Sequence, residues 1–197
     1  MSTMSFGDLA ARVREVCAEV TSETSENGQP FLRVPAAVLP TVAALLRRDR
    51  SLQFDALMDL TAYDRLKFPA AVPSDAIAVV YLLFSYTYRH RLMLEVLAPR
   101  AVCRVPSVST IWPAALYFER EVYDLFGVEF AGHPSLQRIL CPDDWVGHAL
   151  RKDYVYPAEY HGVPHLRDGQ HFEQAPRRVG DAEPAAAKAA PAKGGHS

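Results

Sequence analysis

The stretch Ile77–Leu97, IAVVYLLFSYTYRHRLMLEVL, decides the fold. Its first part, Ile77 to Tyr88, is rich in Val, Leu, Phe and Tyr, and that length and β-branching predict a strand buried on both faces. Arg89-His90 is a short polar break. Leu92, Leu94 and Val96 then alternate with Met93, Glu95 and Leu97, which predicts the returning arm of a hairpin. Upstream, Gln53 to Leu60 reads as another strand and Phe31 to Val34 as a short one, while Phe68-Pro69 and Val72-Pro73 mark a connecting loop.

Helices flank these strands. Phe6, Leu9, Ala10, Val13, Val16, Cys17 and Val20 recur at three- and four-residue steps, an apolar stripe for which Ser5 is the N-cap. The polar stretch Thr21 to Gln29, with Asn27-Gly28, ends it in a turn. A second helix starts near Pro40 and buries Val42, Leu45 and Leu46. A third begins near Ser109 or Thr110 and runs to about Phe126, where Gly127 stops it. Helices packed on a mostly antiparallel or mixed sheet make a two-layer α+β domain, expected over residues 1–130.

After Gly127 the periodicity disappears. Gly132, Pro134, Pro142, Gly147, Pro157, Gly162, Pro164 and Gly169 punctuate a segment still rich in Tyr, Trp, His and Arg. Such a segment builds no core of its own and is too aromatic for plain disorder, so residues 131–173 are expected to be an extended arm lying on another protein. Residues 174–197, rich in Ala, Pro, Lys and Gly, are expected to be a disordered tail.

Composition excludes several function classes. With 23 acidic and 21 basic residues, the chain lacks the basic excess of a general nucleic-acid binder. The run Ala76 to Phe84 falls far short of the roughly 20 apolar residues that span a bilayer, and Met1 to Arg12 shows no secretory pattern, which points to a cytoplasmic chain. Cys17, Cys103 and Cys141 are widely separated and form no C-x-x-C pair, so neither a zinc nor an iron–sulfur site is expected. His161, His165 and His171 have ligand-like spacing, but Gly162 and Pro164 break the helix that would bring the first two together. The aromatics between Tyr81 and Tyr88 read as core, because the spacing and the missing basic-Gly-aromatic pattern do not fit an RNA-stacking sheet.

The third helix carries Glu119, Arg120, Glu121 and Asp124. At about 100° per residue, Arg120, Glu121 and Asp124 share an arc opposite Phe118, Val122 and Phe126, and Arg120 can pair with Asp124 at i,i+4. Glu119 projects only about 20° from Phe126, at the edge of the apolar stripe, where a carboxylate needs a partner. Glu119 and Glu121 diverge by about 200° and cannot flank one substrate as an acid–base pair.

These residues open a longer pattern: Glu119-Arg120-Glu121-Val122-Tyr123-Asp124-Leu125-Phe126-Gly127, then Phe130, His133-Pro134, Leu136 and Arg138-Ile139-Leu140. Gly147-His148 and Leu150-Arg151-Lys152-Asp153 follow, and Tyr160-His161-Gly162 continues in the same style. The pattern resembles the C-type (30 kDa-type) subunit of bacterial NADH:quinone oxidoreductase, respiratory complex I, over roughly Phe6 to Glu173. Gln137 replaces a residue that is commonly basic in that family, and Ala149 a proline.

The resemblance implies a peripheral-arm subunit of a proton-translocating complex, at the cytoplasmic face of the cell membrane and attached to it only through that complex. It implies no catalytic residue, metal or cofactor in this chain, with FMN and iron–sulfur clusters carried by other subunits. The implied partners are the large hydrogenase-like, D-type subunit of the quinone site and other peripheral-arm subunits, with no nucleic acid. The equivalent subunit of a membrane-bound hydrogenase or F420H2/ferredoxin-type complex is the alternative, and a free-standing RNA- or metal-binding module is the alternative from another class. Glu119, Arg120, Glu121, Asp124, Gly127, His133, Pro134, Arg138, His148, Arg151, Lys152 and Asp153 are the expected signature and interface residues. Eight of them (Glu119, Arg120, Glu121, Asp124, Arg138, Arg151, Lys152 and Asp153) are expected to form one mixed-sign network tying arm, helix and partner together.

Overall fold

The computed structural model describes residues 4–66, 75–157 and 159–164. The connecting loop around Phe68-Pro69 and Val72-Pro73, His165, His171 and the tail 174–197 lie outside the described residues. Two compact units are present, Met1–Val155 and Tyr156–Ser197.

In the first unit, helix α1 spans Phe6–Val16 and helix α2 Leu39–Arg48, and a five-stranded sheet is built from β1 (Thr21–Thr24), β2 (Pro30–Arg33), β3 (Ala56–Asp64), β4 (Ala76–Phe84) and β5 (Arg91–Pro99). The strand order is β1-β2-β5-β4-β3. The β4–β5 hairpin pairs antiparallel from Ala76↔Pro99 to Phe84↔Arg91, and β2 joins β5 in parallel, so the sheet is mixed. A small parallel pair, β6 (Arg104–Pro106) and β7 (Glu129–Ala131), brackets helix α3 (Ala115–Phe126). The fold is α+β, as the sequence predicts.

Register explains the core. Ile77, Val79, Tyr81 and Leu83 of β4 face the same way as Leu92, Leu94, Val96 and Ala98 of β5, and all eight are almost wholly buried. Leu9 and Val13 of α1, Val42 and Leu46 of α2, and Val122 and Phe126 of α3 complete one apolar cluster on that face. Val80, Leu82, Met93 and Leu97 point the other way and are only half-buried. The expectation of a strand covered on both faces therefore holds at Ala76 and Ala78, which are buried, and is corrected from Val80 onward, where the second layer leaves that face partly open. On the second face Glu95 pairs with Arg33 at 2.7 Å and accepts from the Tyr63 hydroxyl.

Several boundaries also differ from the sequence reading. β4 ends at Phe84, because Ser85 to Arg89 close a turn with Arg89 at φ +55°. Polar Thr21–Thr24 is an edge strand rather than part of a turn. α3 starts at Ala115 and not near Ser109, since Pro113 has no N–H to donate to the Ser109 carbonyl. Ser5 caps α1 as expected, its hydroxyl accepting from the Asp8 amide while the Asp8 carboxylate accepts from the Ser5 amide. Ser5→Ala is expected to cost about 1 kcal/mol, read as a lower urea midpoint with an unchanged slope.

From Tyr156 onward, the described residues form a short hairpin, β8 (Glu159–Tyr160) with β9 (Val163–Pro164), turning through His161 and Gly162.

Candidate functional site

Arg120, Asp124, Gly127, His133, Arg138, His148 and Arg151 of the signature meet where the segment 133–154 crosses α3, and they work in both directions. A helix leaves its last carbonyls without intrahelical partners. Here the segment supplies those partners: His148 Nδ1 donates to the Asp124 carbonyl (2.9 Å), the Leu150 amide to Leu125 (3.1 Å), and Arg151 Nε to Phe126 (2.6 Å). The Arg151 guanidinium also reaches the Gly127 carbonyl and the Cys103 thiol. A cation at a helix C-terminus is favourable for the dipole as well. Near the start of α3, His133 Nε2 donates to the Leu116 carbonyl at 3.1 Å.

In return, α3 satisfies the segment's backbone. Asp124 is fully buried, and its carboxylate accepts from the amides of Ile139, Leu140 and Cys141 and from Arg138 Nη1 at 2.8 Å. Burial by itself would raise this carboxyl, but the three amides and the guanidinium outweigh it and hold it at about 2. Arg120 donates to the carbonyls of Gln137 and Arg138, at 3.1 and 3.0 Å. Helix geometry alone puts Asp124 on a solvent arc; residues 138–141 cover that arc, so the carboxylate is enclosed. The expected i,i+4 pair is likewise corrected, because Arg120 serves the segment's carbonyls and Asp124 takes Arg138.

Gly127 makes the crossing possible. It ends α3 at φ +71°, and a Cβ there would lie 2.4 Å from the His148 ring and 2.7 Å from Arg151. Burial depresses the His148 imidazole, and Arg151 and Arg138 add to this against the opposing Asp124 carbonyl, which suits a neutral ring.

A second tie lies at the end of β3. Buried Asp64 accepts from Arg100 (2.6 Å), from the Lys152 amide (2.8 Å) and from the Leu66 amide (2.9 Å). Burial opposes its ionisation, yet these donors leave it below the ordinary carboxylate value. Arg100 also pairs with Asp153, and Lys152 Nζ donates to the Leu66 carbonyl. Sequence reasoning misses Arg100 and Asp64, because nothing in their spacing links them to the signature.

The eight-residue network therefore divides into separate contacts. Asp124–Arg138 is an ion pair within it, Asp153 turns to Arg100, and Arg151 and Lys152 spend their side chains on carbonyls. Glu121 is exposed, and so is Pro134. Glu119 is fully buried and meets no cation; it accepts from the Ser107 hydroxyl and the Val108 amide. Among the described residues no group of three His, Cys, Asp or Glu side chains is placed to hold a metal, and no helix is long and apolar enough to cross a membrane.

Comparison with known proteins follows the same residues. The family model described as respiratory-chain NADH dehydrogenase, 30 Kd subunit, matches residues 32–160. The NADH-quinone oxidoreductase C-type subunit of Acidothermus cellulolyticus is 44% identical over 141 residues, covering 70% of this chain and 71% of that protein. Its counterpart of the same name from Mycolicibacterium smegmatis is 42% identical over 138 residues, 68% of this chain, and the match spans only 56% of the mycobacterial protein. Among solved structures, a trypsin-resistant fragment of Nqo5 superposes with a TM-score of 0.57 at 30% identity, covering 68% of this chain and 100% of the fragment. A chain of the membrane-bound sulfane sulfur reductase, an archaeal respiratory membrane complex, superposes with a TM-score of 0.56 at 25% identity, covering 70% of this chain and 77% of that one. The matched region contains the whole crossing of α3 and the segment that caps it, and this chain belongs to the 30 kDa subunit family of the respiratory-chain NADH dehydrogenase.

Proposed function

We propose that the chain is a non-catalytic peripheral-arm subunit of a proton-translocating NADH:quinone oxidoreductase, bracing the large hydrogenase-like subunit that forms the quinone site. One observation supports this reading. Arg120, Asp124, Arg138, His148 and Arg151 turn their polar groups inward to hold the segment 133–154, and several apolar side chains between Ile139 and Val155 are left outside. Leu140 is 60% exposed, Val146 83% and Val155 84%, with Ile139 and Leu150 also exposed. Apolar side chains presented in this way on an ordered segment are what a protein–protein interface uses. Tyr117 and Glu121 are exposed on α3 as well. In this reading FMN and the iron–sulfur clusters belong to other subunits, the chain reaches the cytoplasmic face of the membrane only through the complex, and no nucleic acid is involved.

The likeness to the sulfane sulfur reductase chain favours a second reading, the equivalent subunit of a related membrane-bound complex with another electron donor. Affinity purification of the tagged full chain from detergent-solubilised membranes separates the two. The first reading expects NADH- and flavin-binding chains together with a large hydrogenase-like chain. Co-purification of a hydrogenase-type complex without an NADH-binding chain selects the second, and recovery of the chain alone contradicts both.

A further inference from the structure

Glu119 is enclosed between α3 and the β6–α3 connection, with none of its side chain exposed. Its Oε1 accepts from the Val108 amide at 2.7 Å, and Oε2 lies 2.6 Å from Ser107 Oγ. Ser107 Oγ in turn lies 2.7 Å from Ser109 Oγ and accepts from the Ser109 amide. An ionised carboxylate in such a place would be a buried charge without a counter-ion, a costly arrangement.

Among the described residues, the buried and half-buried charged groups of α3 and of the segment after it that lie nearest in sequence are engaged elsewhere. On α3, Arg120 is on the Gln137 and Arg138 carbonyls and Asp124 is on Arg138; His133 is on Leu116. From the sheet, burial pushes the phenol of Tyr81 on β4 up, and an ionised Glu119 would push it further; the phenol is fully buried and its hydroxyl has no hydrogen-bond partner among the described residues.

We propose that, below neutral pH, Glu119 sits in the folded chain as a protonated, uncharged carboxylic acid that exchanges its proton through the Ser107–Ser109 hydroxyl pair, making the seat of α3 sensitive to pH. The hydroxyl pair satisfies either charge state. With the carboxylate ionised, Ser109 donates to Ser107 and Ser107 donates to Oε2. On protonation half-buried Ser107 gives its proton to Oε2 and takes the incoming proton from solvent, while the buried Ser109 hydroxyl turns to accept from it. The acid then donates to Ser107, and Ser107 donates to Ser109. Ser107 is only half-buried, so the pair connects the enclosed carboxyl to the surface.

Burial pushes the carboxyl up, the Ser107 and Val108 hydrogen bonds offset part of that, and it settles at about 7. A folded value raised above the ordinary 4.5 fixes the sign. The contribution to stability is complete below 4.5 and is lost as pH rises through about 7. The inference concerns the isolated chain and does not depend on the proposed complex.

The test is thermal unfolding of the full chain and its E119Q variant between about pH 5 and pH 8.5, with infrared spectra of both. In E119Q the amide oxygen can accept from Val108 and the amide N–H can donate to Ser107, a permanent copy of the protonated acid. The wild type is expected to lose stability with rising pH relative to E119Q, with a slope of up to about one proton. It is also expected to show a protonated carboxylic acid carbonyl band near pH 5.5 that disappears by about pH 8.5 and is missing in the variant. Should E119Q fail to fold, the wild-type band at the two pH values decides alone. Parallel pH profiles for the two proteins, or no such band in the wild type near pH 5.5, would overturn the proposal.

Discussion

Replacing Gly127 by alanine is expected to destabilise the chain by roughly 3–4 kcal/mol and to lower its melting temperature by roughly 10 °C. Two effects add. A side chain at φ +71° costs about 1–2 kcal/mol through its clash with the carbonyl. The new methyl would also occupy the space of the His148 ring and the Arg151 guanidinium, so both must leave the carbonyls of Asp124, Phe126 and Gly127. Stranding buried carbonyls costs about 1–3 kcal/mol. Gly132 is the control: its φ is +86°, but nothing lies within 4 Å of a Cβ there. Gly132→Ala therefore carries only the backbone cost. Equal melting temperatures for the two variants would show that the close approach at Gly127 does not matter.

Asp124→Asn is expected to cost about 3–5 kcal/mol, because it leaves Arg138 facing a neutral group at a buried site. The amide also brings two donors into a position where the carboxylate meets four donors, three backbone amides and a guanidinium. The effect should shrink in acid. The wild-type carboxyl is held down at about 2, so its contribution is complete above the ordinary 3.8 and is lost as pH falls through about 2. Chemical denaturation at neutral pH and in strong acid measures both parts: a large gap between wild type and variant in the first and a small gap in the second. A gap that stays constant with pH would mean that the ionised form is not what holds the segment.

The body of the fold was legible because its information is local. The β4–β5 hairpin, the Ser5 cap and the Gly127 stop are written in residues close together in sequence, where periodicity and turn chemistry act directly. Edge strand β1 and the three-residue strands β6 and β7 carry no such signal: one is polar and mostly exposed, and the others are too short to alternate. The motif contains Asp124, Arg138, His148 and Arg151 of the crossing, but not Asp64 and Arg100, and it does not disclose the wiring. Asp124 is placed on the solvent arc by helix geometry alone, and only residues 138–141, more than a dozen positions away, convert that arc into an interior. Glu119 shows the same limit. Its position at the edge of the apolar stripe signals a need for a partner, yet the partner is a serine hydroxyl and a backbone amide rather than a base, and neither can be inferred from spacing.

The shape of the segment 133–154 has a clear origin in this geometry. It comes from α3 of the same chain, whose charged side chains bind the segment's amides and carbonyls while the segment caps the helix. A chain built in this way offers a partner a surface that is already formed, which lowers the ordering cost of association. Hydrogen exchange of the amides of Ile139, Leu140 and Cys141 in the isolated full chain measures this most directly. Slow exchange in the wild type, lost selectively in Asp124→Asn while the amides of β4 and β5 stay protected, is the expected result. Exchange of those three amides at unfolded-chain rates in the wild type would contradict it.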